Sequence, residues 1–296
     1  MNSGDLVLKS IVEELTDTLS KCGLMYHIFY RTKSPESINK KMSKKAEAYR
    51  ASGKKMQDFL ALRITLYFSD DVEIIHNYLK CQNNYIDESF DENKIDKFCP
   101  KKLNLVMRVP DKHSEYITDA IKNTKHPDLI DDTYEIQIRT ILSEGWHEVE
   151  HDLRYKCQED WDGFKEESRL LNGIFASLES NEWSMLRLFE SLAYSHYKKR
   201  NWDSMMRNKM RIRLHPQTLP SHIIDWLNDN PSVAKQLFRT SRSKIIQELL
   251  NNDFDYPLTY ETILHLTNRI DARNNKLAQF EDDALKKDFN RIYGAL

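Results

Sequence analysis

The chain has 296 residues, 44 basic and 46 acidic, for a formal charge of -2, which excludes the strongly basic field of a general nucleic-acid or membrane-surface binder. No run approaches the roughly 18 apolar residues of a membrane span, the opening MNSGDLVLKS lacks the pattern of a secretory leader, and Cys22, Cys81, Cys99 and Cys157 share no C-x-x-C spacing, so a cytoplasmic protein with reduced thiols is expected. Seven glycines, eight prolines and 30% charged residues predict a largely helical surface with some sheet inside, at a length that suits one good core with a second unit attached.

Leu6, Ile11, Val12, Leu15 and Leu19 space out an amphipathic helix that should stop near Cys22-Gly23. Leu24 to Tyr30 (LMYHIFY) is short, apolar and aromatic and reads as a strand. A strand-to-helix junction follows, with Pro35 in a first helical turn and Arg31, Lys33, Ser37 and Lys41 around it. Free backbone N–H groups and a positive dipole end make such a junction an anion cradle, and a solvated face is the bland alternative.

LRITLYF, residues 62–68, is β-branched and aromatic enough for a buried strand, and Ser69-Asp70-Asp71 should cap a helix from Val72 to Leu79. Asp58, placed just ahead of that strand, is costly to leave unpaired. It is a metal ligand, a partner of Arg63, or one end of a local cap or salt bridge. Residues 99–104 precede another strand, LVMRV, and the long connection from Pro110 to Thr133 contains a helix on Ile117, Ala120 and Ile121.

From Tyr134 the period is two: Glu135, Gln137 and Arg139 point one way, Tyr134, Ile136 and Ile138 the other. Directly behind, Ile141, Leu142, Trp146, Val149 and Leu153 fall at helical spacing, with His147, Glu150, His151 and Arg154 on adjoining faces. Glu135 suits a magnesium ion as a hard oxygen ligand, Arg139 suits a phosphate as a bidentate donor, and Gln137 is an orienting amide. The alternative is a plain ion pair on an edge strand. Helical period continues to about Lys199. Beyond Arg200 prolines punctuate three or four short helices such as HIIDWLND, VAKQLFR, SKIIQELL and TYETILHLTNRI, an α-helical accessory domain.

The run EIQIRT with its following Trp and EH-x-x-x-YK tail resembles the RelA/SpoT-type (p)ppGpp synthetase domain, with the small alarmone synthetases, toxin-like relatives included, as the nearest kind. R-x-K-x-x-x-S-x-x-x-K at 31–41 and D-x-x-x-x-R at 58–63 resemble two further motifs in family order. Together they cover roughly residues 5 to 195 and imply an α/β fold, a mixed twisted sheet flanked by helices, at 1–199, followed by the helical unit at 200–296. The resemblance implies Asp58 and Glu135 as catalytic residues and Mg²⁺ ligands. It implies Arg31, Lys33, Ser37, Lys41 and Arg63 on ATP, and Asn104, Gln137, Arg139 and His151 on the acceptor. The activity implied is transfer of the β,γ-pyrophosphate of ATP to a nucleotide 3′-hydroxyl, (p)ppGpp synthesis from GDP or GTP in the first place.

Two departures bear on the acceptor. The family segment G-Y-x-S-x-H, whose tyrosine stacks on guanine, has Pro100 and Asn104 in the tyrosine and histidine places, so Tyr85 or Phe98 would have to supply a ring. The long connection Pro110 to Thr133, with Ile117, Ala120 and Ile121, suggests an inserted helix over the acceptor side; separately, Ala61 replaces the usual glycine of the aspartate motif, a mild change. The alternatives are therefore a toxic relative that modifies an adenine nucleotide or a tRNA 3′ end, and a nucleotide-binding regulatory protein without turnover. A homo-oligomer and an antitoxin or regulatory partner accompany these readings.

Overall fold

The computed structural model describes residues 3–90, 103–252, 254 and 256–296. Phe98, Cys99 and Pro100 lie outside the described residues. The chain forms two compact units, residues 1–17 with 26–182, and residues 18–25 with 183–296. The boundary expected after residue 199 falls at the end of a helix, Lys165–Lys198, within which the contacts divide.

The first unit is built on a five-stranded mixed sheet. Its strands are β1 (Tyr26–Thr32), β2 (Leu60–Leu66), β3 (Tyr85–Phe90), β4 (Leu103–Arg108) and β5 (Thr133–Thr140), in the spatial order β1-β2-β5-β4-β3. Of these four strand pairings, β2–β5 is parallel and the other three are antiparallel. The mixed sheet with flanking helices and a following helical region is the fold class that the sequence led us to expect.

Alternation gives the sheet two unlike faces. On one, Leu62, Ile64, Ile136, Ile138 and Leu105 are almost wholly buried, each worth roughly 1.5–3 kcal/mol on leaving water. Two helices, α1 (Ser3–Lys21) and α3 (Ser69–Lys80), serve this side, supplying Val7, Leu8 and Ile11 from one and Ile74, Ile75 and Leu79 from the other. Thr32 Oγ1 donates to Asp5 on α1 at 2.7 Å, and His76 and Lys80 on α3 hold Glu88 of β3 at 2.6 and 2.7 Å.

Several expectations change here. Ser69-Asp70-Asp71 form the first helical turn of α3 and not its cap, which is Phe68, with no side-chain hydrogen bond. The helix in the 110–133 connection is α4 (Ser114–Lys122), with Ile117 buried, and its contacts run to α1: Ser3 Oγ donates to Asp119 at 2.6 Å, and Lys112 just ahead of it pairs with Glu14. It therefore does not cover the polar face of the sheet. β5 is the central strand, which removes the edge-strand alternative for Glu135 and Arg139.

The second unit is helical. Besides the end of the long helix it contains Trp202–Met210, Ser221–Asp229, Pro231–Arg239, Arg242–Asn251, Tyr260–Thr267, Asn275–Ala278 and Asp283–Tyr293, more helices than the prolines alone suggest. Gly23, at φ +67°, closes the N-terminal helix; its carbonyl accepts from Arg213 N at 2.7 Å, and a Cβ there would lie 2.7 Å from the Arg213 carbonyl oxygen. Buried Arg269 donates to Glu281 at 2.8 Å and to Asn290 at 2.8 Å. No helix among the described residues is long and apolar enough to cross a membrane.

Candidate active site

The second face of the sheet carries the chemistry. Strand register lines its residues up in rows across four strands: Arg31, Ala61, Glu135 and Val106 in one, and Phe29, Arg63, Gln137 and Asn104 in the next. His27, Thr65 and Arg139 begin a third. Residues 29 to 137 meet here because three strands place odd-numbered side chains on one side, whereas β4 contributes its even-numbered ones.

Arg63, Gln137, Glu135 and Arg139 are one hydrogen-bonded network. Arg63 Nε donates to Gln137 Oε1 at 3.1 Å, Gln137 Nε2 donates to Glu135 at 2.8 Å, and Arg139 donates to the same Gln137 oxygen at 3.4 Å. Two residues that the sequence reading left out complete it. Glu144 and Glu148, on α5 (Ile141–Glu150), both accept from Arg63, and Glu144 also accepts from Arg139 at 3.0 Å. Burial and then the neighbouring Arg63 charge work against the Arg139 cation, so Glu144 is what makes its place in the interior tenable.

The helix is aimed by its own start. Thr140 ends β5 and caps α5 by accepting from Ser143 N at 3.1 Å, while its hydroxyl bonds Glu182 on α6 (Lys165–Lys198). Trp146 is buried, donates to the Leu171 carbonyl at 3.0 Å, and packs on Phe175 with ring centres 4.8 Å apart. The expected apolar stripe of α5 turns out otherwise: Ile141, Val149 and Leu153 are exposed, and Glu144 is buried. The spacing was helical, but the side that packs is fixed by Trp146 and by the arginines of the sheet.

Asp58 lies just ahead of β2, and its two carboxylate oxygens accept from Lys33 and Lys41, each at 2.6 Å. Of the options open for Asp58, the structure forms the local ion pair, with lysines and not with Arg63. Burial raises the Asp58 pKa, but the hydrogen bonds and charges of the two lysines outweigh it and hold the carboxyl below its usual value. Lys41, likewise opposed by burial, is raised by Asp58. Lys41 reaches this point because Ser34 caps α2 (Pro35–Ser52): Ser37 N donates to Ser34 Oγ at 3.3 Å, and the two hydroxyls are 3.1 Å apart. Ser37 is thus engaged at the cap.

A cavity of about 350 Å³ opens over this face, lined by Phe29, Arg31, Ala61, Arg63, Gln137 and Glu148 among others. Arg31 and Arg63 therefore share one pocket. The Asn104 Oδ1 is buried without a hydrogen bond, directly across from Gln137. His151 follows α5 in a π turn, bonded to Asp152 at 2.9 Å and stacked between His147 of α5 and Tyr155. Tyr85 opens β3, a strand not expected from the sequence. The described cysteines, Cys22, Cys81 and Cys157, are free thiols.

Among the described residues no group of three or more His, Cys, Asp or Glu side chains is placed to hold a metal. Mg²⁺ asks for less, since one or two carboxylates plus substrate phosphates suffice, and Asp58 and Glu135 match that donor set in kind.

The polar face of the mixed sheet thus sets three arginines, an amide and carboxylates beside one open pocket. The sequence pattern described as a region found in RelA / SpoT proteins matches residues 30–160. Among solved structures, a GTP pyrophosphokinase family protein from Streptococcus pneumoniae is similar at 22% identity and TM-score 0.47, over 62% of this chain and 88% of that one. Small alarmone synthetase 2 from Bacillus subtilis gives 22% and 0.44 over 60% and 94%. Small alarmone synthetase 1 from Bacillus subtilis, bound to its product pppGpp, gives 21% and 0.43 over 62% and 92%. No curated protein matches the chain.

Proposed function

We propose that the polar face binds ATP and a second nucleotide, and that the chain transfers the β,γ-pyrophosphoryl group of ATP to the acceptor's 3′-hydroxyl, with GDP or GTP as acceptor and (p)ppGpp as product. The observation that carries this reading is the convergence of Arg31, Arg63, Glu135 and Gln137 on one face, with the Lys33–Asp58–Lys41 cluster formed at the junction after β1. The acceptor oxygen attacks the β-phosphorus, the bond from that phosphorus to the α,β-bridging oxygen breaks, and AMP leaves.

Phosphoryl-type transfer asks mainly for positioning and charge stabilisation. Lys33, Lys41 and Arg31 supply cations for the polyphosphate, and Gln137 with Arg139 orients the acceptor. Glu135 takes the hydroxyl proton as general base. Mg²⁺, held by Asp58 and Glu135, would neutralise donor phosphate charge. For the lysines to serve phosphate they must share or exchange Asp58, so donor binding and metal binding are coupled in this reading.

A second acceptor class, an adenine nucleotide or a tRNA 3′ end, is favoured by one residue, Asn104 in the place of the family histidine. Incubation with γ-labelled ATP, Mg²⁺ and each of GDP, GTP, ADP, ATP and bulk tRNA tests both. Label in a guanine nucleotide with release of AMP supports the first reading. Label confined to an adenine nucleotide or tRNA supports the second, and no transfer to any of them overturns the enzymatic reading.

A further inference from the structure

We infer that Phe29 is the platform on which the purine base of the donor nucleotide stacks, an assignment that rests on the pyrophosphoryl-transfer reading above. Phe29 is 56% exposed, a large apolar ring open to solvent beside the charged and amide groups of this face. It lines the 350 Å³ cavity and stands directly across from Arg63, whose Nε and one terminal nitrogen are engaged by Gln137, Glu144 and Glu148. β1 is an edge strand, so among the described residues no further strand lies beyond this ring.

What distinguishes Phe29 from a scattered surface apolar residue is the line it begins. Along β1 the side chains of Phe29, Arg31 and Lys33 fall on one side, because the β1–β2 pairing continues past the strand end through Lys33 N and the Phe59 carbonyl at 2.8 Å. At about 3.3 Å per residue the ring and the last cation are roughly 13 Å apart, the reach of a nucleoside triphosphate laid lengthwise. The base then rests on Phe29 and the phosphates run past Arg31 toward Lys33 and Lys41. Ala61, paired with Arg31, keeps the floor between them low. A flat ring reads the face of a base and not its edge, so it serves adenine and guanine alike and selects for a base as against bare polyphosphate.

Calorimetry on the full chain with Mg²⁺ tests this, using ATP and inorganic tripolyphosphate as the two ligands. Phe29→Leu is expected to weaken ATP by about 5- to 150-fold and to leave tripolyphosphate unchanged, and Phe29→Tyr is expected to restore ATP. Unchanged ATP affinity in Phe29→Leu overturns the assignment, as does an equal loss for ATP and tripolyphosphate. A loss confined to GDP would move the ring to the acceptor and overturn it too. If the unaltered protein binds neither ligand, the transfer reading fails and takes this assignment with it; if both bind and only the Phe29 variants are silent, the transfer reading stands without it.

Discussion

Asn104 on β4 stands directly across from Gln137 on β5, and its amide oxygen is buried without a hydrogen bond. Leaving such an acceptor unmatched costs about 1–3 kcal/mol, so the group is a poor investment for stability alone. Asn104→Leu is expected to leave the melting temperature unchanged or higher while raising KM for the acceptor. A melting temperature lowered by several degrees, with KM unmoved, would show the amide to be structural.

Glu144 and Glu148 both hold Arg63 but differ in surroundings. Glu144 is buried and shared with Arg139, whereas the Glu148 side chain is 53% exposed. Glu144→Gln leaves two partly buried guanidiniums short of countercharge and is expected to destabilise by about 3–5 kcal/mol. Glu148→Gln is expected to change stability by less than about 1 kcal/mol and, by loosening Arg63, to tighten ATP binding. Urea unfolding of both variants with an ATP titration of the second checks the pair, and equal stability losses would show that exposure does not separate them.

Asp58 gives an acid-side prediction. Its carboxyl is held below the usual value in the folded chain, so its contribution is complete above about pH 4 and is lost as pH falls through the lower folded value. Asp58→Asn should therefore be less stable than the parent by a constant amount at neutral pH, with the two converging on acidification. In the labelled-ATP assay the same variant is expected to lose transfer by orders of magnitude. Near-normal turnover in the folded variant would remove Asp58 from the chemistry.

His265, in the helical unit, gives a second pH prediction of the same sign. Burial, and then the charge of Arg269, pushes it down to about 4, and neither ring nitrogen has a hydrogen bond. Glu261 and Glu281 approach it at 3.9 and 4.0 Å. The unfolded chain takes up a proton near pH 6.5 that the folded one refuses, so stability is full above that value and falls by roughly 3 kcal/mol between pH 6.5 and 4. His265→Leu should flatten that slope in urea unfolding at stepped pH, and an unchanged slope would assign it to other groups.

The strands carrying the site were legible wherever alternation was clean, as in EIQIRT, where period two separates Glu135, Gln137 and Arg139 from a buried apolar set. β3 escaped because YIDESF sets two acids in a row at the sheet's far edge, where Glu88 is satisfied by His76 and Lys80 from α3. Glu144 and Glu148 escaped for a different reason. Helical spacing fixes which residues share a face but not which face is buried, and α5 is turned by Trp146 and by the two arginines of the sheet. Phe29 read as one more apolar residue of a strand, since nothing local reveals that β1 lies at an edge with its odd side chains toward the arginines.

The segment 18–25 belongs with residues 183–296, tied in by Gly23 and Arg213. During synthesis, at roughly 5–20 residues per second, it emerges on the order of ten seconds ahead of the partners it needs. Leu19, Cys22 and Leu24, buried in the finished protein, stay bare through that interval. The sheet unit has all its residues once 182 is out, whereas the helical unit must wait for the tail of the chain and then recruit a stretch made near the beginning. Such closure over more than 150 intervening residues is the slow kind of contact, and it makes residues 18–25 the last piece of the helical unit's core to settle.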